Sequence, residues 1–87
     1  MEISSYYGNT ENSQKNATRI DSNGVSIFYS YKTIIAIKLN GKLTISKNKW
    51  GSTTGKHLNA IDADKSIRVD YSEVQDLVKN LKITLNP

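Results

Sequence analysis

The sequence predicts an α+β fold: a small antiparallel sheet of four to five strands, built from two hairpins and packed against a C-terminal helix. Three observations carry this expectation. Two apolar-alternating segments each contain an Asn-Gly pair, the favoured centre of a tight hairpin turn. After Ser72 the apolar residues switch to helical spacing, with Val74, Leu77, Val78 and Leu81 on one face. Strands followed by a helix, with no alternating βαβ order, read as α+β.

Residues 1–17 are rich in Ser, Asn, Thr and Gln around the apolar residues Ile3, Tyr6 and Tyr7. They predict a flexible arm or an edge strand, followed by a single α+β domain over residues 18–87. TRIDSNGVSIFYSY, residues 18–31, reads as a hairpin whose two-residue loop Asn23-Gly24 sets Ile20 opposite Ile27. The alternation then puts Val25, Ile27, Tyr29 and Tyr31 on the core face. Phe28 falls on the opposite face with Ser26, Ser30 and Lys32.

TIIAIKLNGKLTIS, residues 33–46, reads as a second hairpin. A two-residue loop at Asn40-Gly41 would set Ile37 against Thr44 and Ile35 against Ser46, apolar against polar on each face. A three-residue loop, Leu39-Asn40-Gly41, pairs Ile37 with Leu43 and Ile35 with Ile45 and leaves Gly41 in the left-handed position of a G1 bulge. The bulged hairpin is therefore expected. Its other face carries Lys38, Lys42, Thr44 and Ser46 beside Ile34 and Ala36, a basic, hydroxyl-rich surface.

After Trp50, the candidate caps Ser52, Thr53 and Thr54 introduce a short helical turn over residues 53–59. SIRVDY predicts a short strand with Ile67 and Val69 inward. Ser72-Glu73-Val74-Gln75 fits a capping box that opens the last helix. The tail KITLNP either adds an edge strand or frays.

Eighty-seven residues make one small domain with a thin core, which a homo-oligomer would help. With no cysteine there is no disulfide and no thiolate metal site. The N-terminal MEISSYYGNT lacks the basic start and apolar run of a signal peptide, and no run reaches the length of a membrane span. A cytoplasmic protein without a membrane partner is expected. The net charge of +4 is unevenly placed. Between Asp21 and Asp62 there is no acid but six lysines: Lys32, Lys38, Lys42, Lys47, Lys49 and Lys56. Such a field attracts nucleic acid, nucleotides or an acidic protein surface. The plainer account is that these lysines keep a small sheet soluble.

KNKWGSTTGKHLN, residues 47–59, concentrates glycines, hydroxyls, lysines, the one tryptophan and the one histidine. It is not a P-loop: three residues separate Gly51 from Gly55 where four are required, and His57 stands in the Ser/Thr position. Backbone amides at a helix start flanked by Lys49 and Lys56 make a generic anion site, or simply a capped turn. His57 beside Ser52 or Thr53 suggests a nucleophile and base, but nothing fixes an orienting carboxylate, Asp62 and Asp64 included. Metal binding lacks ligands, no cofactor is implied, and no enzyme is expected. Among the aromatics, Phe28 on the polar face is a candidate for stacking on a base, or else packs inside. Trp50 more naturally seals the core edge.

Residues 28–59 also resemble a family of small proteins of unknown function encoded mainly by bacteriophages. The likeness rests on a pattern close to YFSY-x-T-x-[IV]-A, then a glycine turn, then W-S-x-T-T-x-K-H-x-N. Here it falls on Tyr29, Ser30, Tyr31, Thr33, Ala36, Gly41, Trp50, Thr53, Thr54, Lys56, His57 and Asn59. Gly51-Ser52 departs from it, because the serine usually follows the aromatic directly. The resemblance implies a phage-type folded module in the infected host cell and supplies no activity. Taken together, the expected function is a small non-enzymatic binding protein. Thr53, Thr54, Lys56, His57, Asn59, Lys49 and Trp50 would hold an anionic ligand, a nucleic acid or a nucleotide such as a defence signal. Lys32, Lys38, Lys42 and Lys47 would add a basic surface. The rival is an interaction module that docks on a host protein, as an anti-defence or host-takeover factor.

Overall fold

The computed structural model describes residues 1–7 and 16–85, with side chains as far as Leu81. Its centre is a five-stranded antiparallel meander: β1 (Glu2–Ser5), β2 (Ala17–Ser22), β3 (Val25–Ser30), β4 (Thr33–Leu39) and β5 (Lys42–Ile45), paired in chain order. Two helices follow, α1 (Ser52–Ile61) and α2 (Tyr71–Leu85). The expected α+β architecture is observed, and part of the N-terminal arm is an edge strand; residues 8–15 of that arm lie outside the described residues.

The first hairpin has the expected register, with Ile20 opposite Ile27 across Asn23 (φ 49°) and Gly24 (φ 81°). Positive φ at both central residues is the type I′ signature, whose twist matches that of the flanking strands. The second hairpin corrects the expectation. Its loop is also two residues, Asn40 (φ 49°) and Gly41 (φ 88°), which pairs Leu39 with Lys42, Ile37 with Thr44 and Ala36 with Ile45. The bulge lies instead between β3 and β4, where Phe28 faces Ala36 but Tyr29 faces Ile34, so Ile35 is the extra residue.

The reason is that helices cover both faces of the sheet. On one face Phe28, Ile35, Ala36 and Ile45 pack with Leu58 of α1, joined by Tyr6, Leu43, Trp50 and Ile61. On the other, the Tyr29–Ile34 pair lies against Tyr71, Val74 and Val78 of α2 across a cleft of about 530 Å³, and α2 runs along β4 and β5. A clean apolar/polar alternation holds only where one face meets water. The continuous run Ile34–Ile37 is therefore legible afterwards as a strand buried on both sides. Pairing Ile37 with Thr44 costs little when Ile37 is sealed by a helix. The observed register also divides the basic, hydroxyl-rich face. Lys38 shares the Phe28 face, whereas Lys42 and Thr44 share the Ile37 face.

The helical turn after Trp50 is a full ten-residue helix. Its N-cap is Gly51 with no side-chain cap bond, so none of Ser52, Thr53 or Thr54 caps it. The expected strand at SIRVDY is absent among the described residues. Residues Lys65–Ile67 form a 3₁₀ turn capped by Asp64, Ile67 is exposed, and only Val69 makes a parallel bridge to Ser46. Asp70, rather than Ser72, caps α2: its carboxylate accepts from the Ser72 N–H (3.1 Å) and hydroxyl (2.6 Å). That helix runs on to Leu85, through the segment expected to fray or form a strand.

The two glycine turns differ in their surroundings. Both glycines sit at positive φ, so alanine strains either by about 1–2 kcal/mol. A Cβ at Gly24 would also lie 2.9 Å from the Asn40 side-chain oxygen, whereas one at Gly41 would meet nothing within 4 Å. Gly24→Ala is therefore expected to melt lower than Gly41→Ala. Equal melting temperatures would show that the Asn40 side chain swings away at no cost.

Candidate functional site

At the end of β3 the chain does something unusual. Tyr31, a bulky non-glycine residue, adopts φ 56° to close the two-residue connection to β4. Left-handed backbone costs an L-residue about 1–2 kcal/mol, so the surroundings must hold it there. Its N–H donates to the Asn16 carbonyl (2.7 Å), and its ring lies 6.0 Å from that of His57. The residue remains 52% exposed.

Behind it lies a buried polar network. The Ser30 hydroxyl is 2.7 Å from His57 Nδ1 and 3.0 Å from the Thr54 hydroxyl. Ser30 is on the Phe28 face of β3, and Thr54 and His57 lie on the inward face of α1 with Leu58, at helical spacing. Two proton orders satisfy the three groups, since Ser30 can accept from either neighbour while donating to the other. Burial pushes the His57 pKa below its ordinary value, so the ring is neutral at pH 7. Tyr6 (6.2 Å) and Tyr7 (5.0 Å) approach the same imidazole edge-on. The Tyr6 hydroxyl donates to the Tyr29 carbonyl (2.7 Å), and burial raises its pKa, keeping it a donor.

The expected ligand residues are split by helix geometry. Thr53, Lys56 and Asn59 recur every three positions on the outer face of α1, while Thr54 and His57 point inward. Asn59 accepts from Arg68 (2.8 Å). Lys49 sits over the Tyr71 ring (5.1 Å), and Trp50 packs edge-on against that ring (5.0 Å), both at the start of α2. Lys47 and Lys49 lie near Asp70 and help to lower its pKa, after the larger effect of its bonds to Ser72. Lys32 follows Tyr31 in the chain, and Lys56, which precedes His57, lies on the outer face of α1. Lys38 lies near the end of β4 and Lys42 at the start of β5, on either side of the second turn. All six lysines are exposed.

Two of the candidate roles meet a different geometry. Phe28 does not present its ring to solvent. It is 5% exposed, with Tyr6 against its edge (5.5 Å) and the Arg19 guanidinium over its face (5.0 Å). His57 pairs with Ser30, not with Ser52 or Thr53, and both partners are sealed, Ser30 at 2% and His57 at 1% exposure. Among the described residues no carboxylate bonds the ring, so the pair lacks both access and an orienting acid.

The sequence alternation puts Tyr31 on the core face and gives Ser30 no role in the site, whereas Tyr31 is exposed and Ser30 is buried against His57. The one available signal was that the connection Tyr31-Lys32 has no glycine, so some larger residue had to take the strained position. Also unforeseen is a polar strip beyond the end of α1, where Arg19 donates to Asp21 (2.9 Å) and Ser26 lies between Asp21 and Lys38 in register. Hydrogen bonds from Ser26 and Arg19 hold the Asp21 carboxyl below its ordinary range.

Residues 1–76 match the model of a family of unknown function (DUF8033), and the chain belongs to that family. No curated protein and no solved structure gives a match. Among the described residues no helix is long and apolar enough to cross a membrane.

Proposed function

We propose that this protein is a non-enzymatic binding module for single-stranded nucleic acid, with the Tyr31 ring as its stacking platform. The observation that carries this reading is the half-exposed Tyr31, held in left-handed backbone with its ring near that of a buried His57. Strained, exposed aromatics on a rigid scaffold are suited to recognition, and every base offers a face to stack on. In this reading Lys32, next to Tyr31 in the chain, and Lys56, next to His57, neutralise phosphates, and the other four lysines of the acid-free segment add long-range attraction. A free nucleotide is less well served, because the residues meant to enclose it face opposite sides of α1. The phage-type resemblance points to the cytoplasm of an infected cell as the place of action.

The test is fluorescence anisotropy with labelled single-stranded DNA and RNA at about 50 and about 200 mM salt. Binding should weaken steeply with salt. Tyr31→Ala should lose about 1–3 kcal/mol of affinity, and Tyr31→Gly the same, although glycine relieves the backbone strain and should fold at least as stably. Lys56→Ala should lower the salt slope by about one. Undiminished binding in both Tyr31 variants overturns the assignment. No binding by the wild type removes the nucleic-acid reading and leaves docking on a host protein as the function to pursue.

A further inference from the structure

The outer edge of β1 stands apart from the rest of the sheet. β1 is the terminal strand, all four residues are exposed, and among the described residues nothing pairs with its outer side. The opposite edge, at β5, is partly closed where Val69 bonds to Ile45 and Lys47. Natural edge strands are usually guarded by shortness, charge, proline or a bulge. β1 has no lysine, proline or bulge; its guards are its four-residue length and Glu2 alone, and its pairing with β2 is regular from Glu2–Asp21 to Ser5–Thr18. Ile3, 64% exposed, begins a cross-strand row that continues through Ile20 and Ile27 to the buried Ile37.

We propose that β1 is a homodimerisation strand: two copies pair it antiparallel about a two-fold axis through Ile3, joining both sheets into one. A two-fold axis perpendicular to a sheet preserves its faces, so paired residues must have the same parity. With Ile3 opposite Ile3 of the second copy, Glu2 falls opposite Ser4, and the two Glu2 carboxylates are not juxtaposed. The isoleucine row of one copy then runs into that of the other. Charge favours the same joint. Neither β1 nor β2 carries any of the six lysines of the acid-free segment, which lie beyond them on the β3–β4 connection, β4, β5, the loop after it and α1. The repulsion expected between two copies of net charge +4 is therefore smallest where β1 meets β1.

Sedimentation equilibrium across a concentration series tests this. The wild type is expected to shift from the 9.7 kDa monomer toward twice that mass. Ile3→Lys puts like charges opposite each other and should weaken association at least about tenfold, with an unchanged melting temperature at dilution because Ile3 is largely exposed. The chain has no cysteine, so Ile3→Cys can be oxidised cleanly. It should cross-link readily, since directly opposed positions fall within disulfide reach. Ser4→Cys, which faces Glu2 in the pairing, should not. A wild type that stays monomeric throughout overturns the proposal, as does a dimer indifferent to Ile3→Lys. Preferential cross-linking at Ser4 overturns the register.

Discussion

His57→Ala is expected to destabilise the protein by about 3–4 kcal/mol, read as the shift of a urea or thermal unfolding curve. His57 is sealed, bonded to Ser30, and bordered by the rings of Tyr6, Tyr7 and Tyr31. Truncation opens a cavity beneath three aromatics and removes a tie between α1 and the end of β3. Ser30 and Thr54 keep each other as partners, so the loss comes chiefly from packing. For a domain of this size each kcal/mol moves the melting temperature by about 4–8 °C, so the variant should melt well over 10 °C lower. Lys56→Ala, one residue earlier on the outer face, should melt with the wild type. A His57→Ala protein as stable as the wild type would mean the network holds nothing together.

The same residue sets a pH dependence. His57 has its pKa depressed by burial, whereas in the unfolded chain it returns to about its ordinary value of 6.5. Below 6.5 the unfolded chain takes up a proton that the folded chain resists. Stability is therefore full above that pH and declines as pH falls below it. Asp21, Asp64 and Asp70 also have lowered pKa values, but their contributions are lost only as pH falls through and below their ordinary 3.8. The decline between about pH 6.5 and pH 5 thus belongs to His57, and it should disappear in His57→Ala.

These effects mark where the sequence was readable. The Asn-Gly turns and the apolar face of α2 are local signals, and both led to the right elements. The second register departs from expectation because apolar-opposite-polar pairing is a penalty only in a sheet with one wet face. Here α1 and α2 cover opposite faces, so adjacent strand residues can both be buried. α1 is longer than the expected turn although Thr53, Thr54 and Gly55 are poor helix formers. Burial of Thr54, His57 and Leu58 against the sheet stabilises the helix in spite of that. Asp70 captured the start of α2 two residues ahead of the Ser72 capping box, a competition between equally plausible caps. The site was the least legible part. Ser30 and His57 are 27 residues apart in sequence, and only the folded sheet brings them together. The one local hint to the left-handed Tyr31 is that its connection to β4 contains no glycine.

Phe28→Ala is expected to cost about 3–5 kcal/mol, a large share of the 5–15 kcal/mol that such a domain has in total. Phe28 lies on the central strand between Arg19 and Ala36 in register, beneath α1, with Leu58 and Ile45 in the same cluster. Its loss removes the edge contact with Tyr6 and the face on which the Arg19 guanidinium rests. Phe28→Leu keeps most of the volume and should cost less than about 1.5 kcal/mol. That milder variant separates the two aromatic residues functionally. A stacking ring cannot be replaced by leucine, whereas a core ring nearly can. Oligonucleotide affinity should therefore survive Phe28→Leu and fall in Tyr31→Leu, with both proteins folded at the temperature of measurement. If affinity instead falls in Phe28→Leu and survives in Tyr31→Leu, the base must reach Phe28 through an opening of the α1 face, and Tyr31 is not the platform.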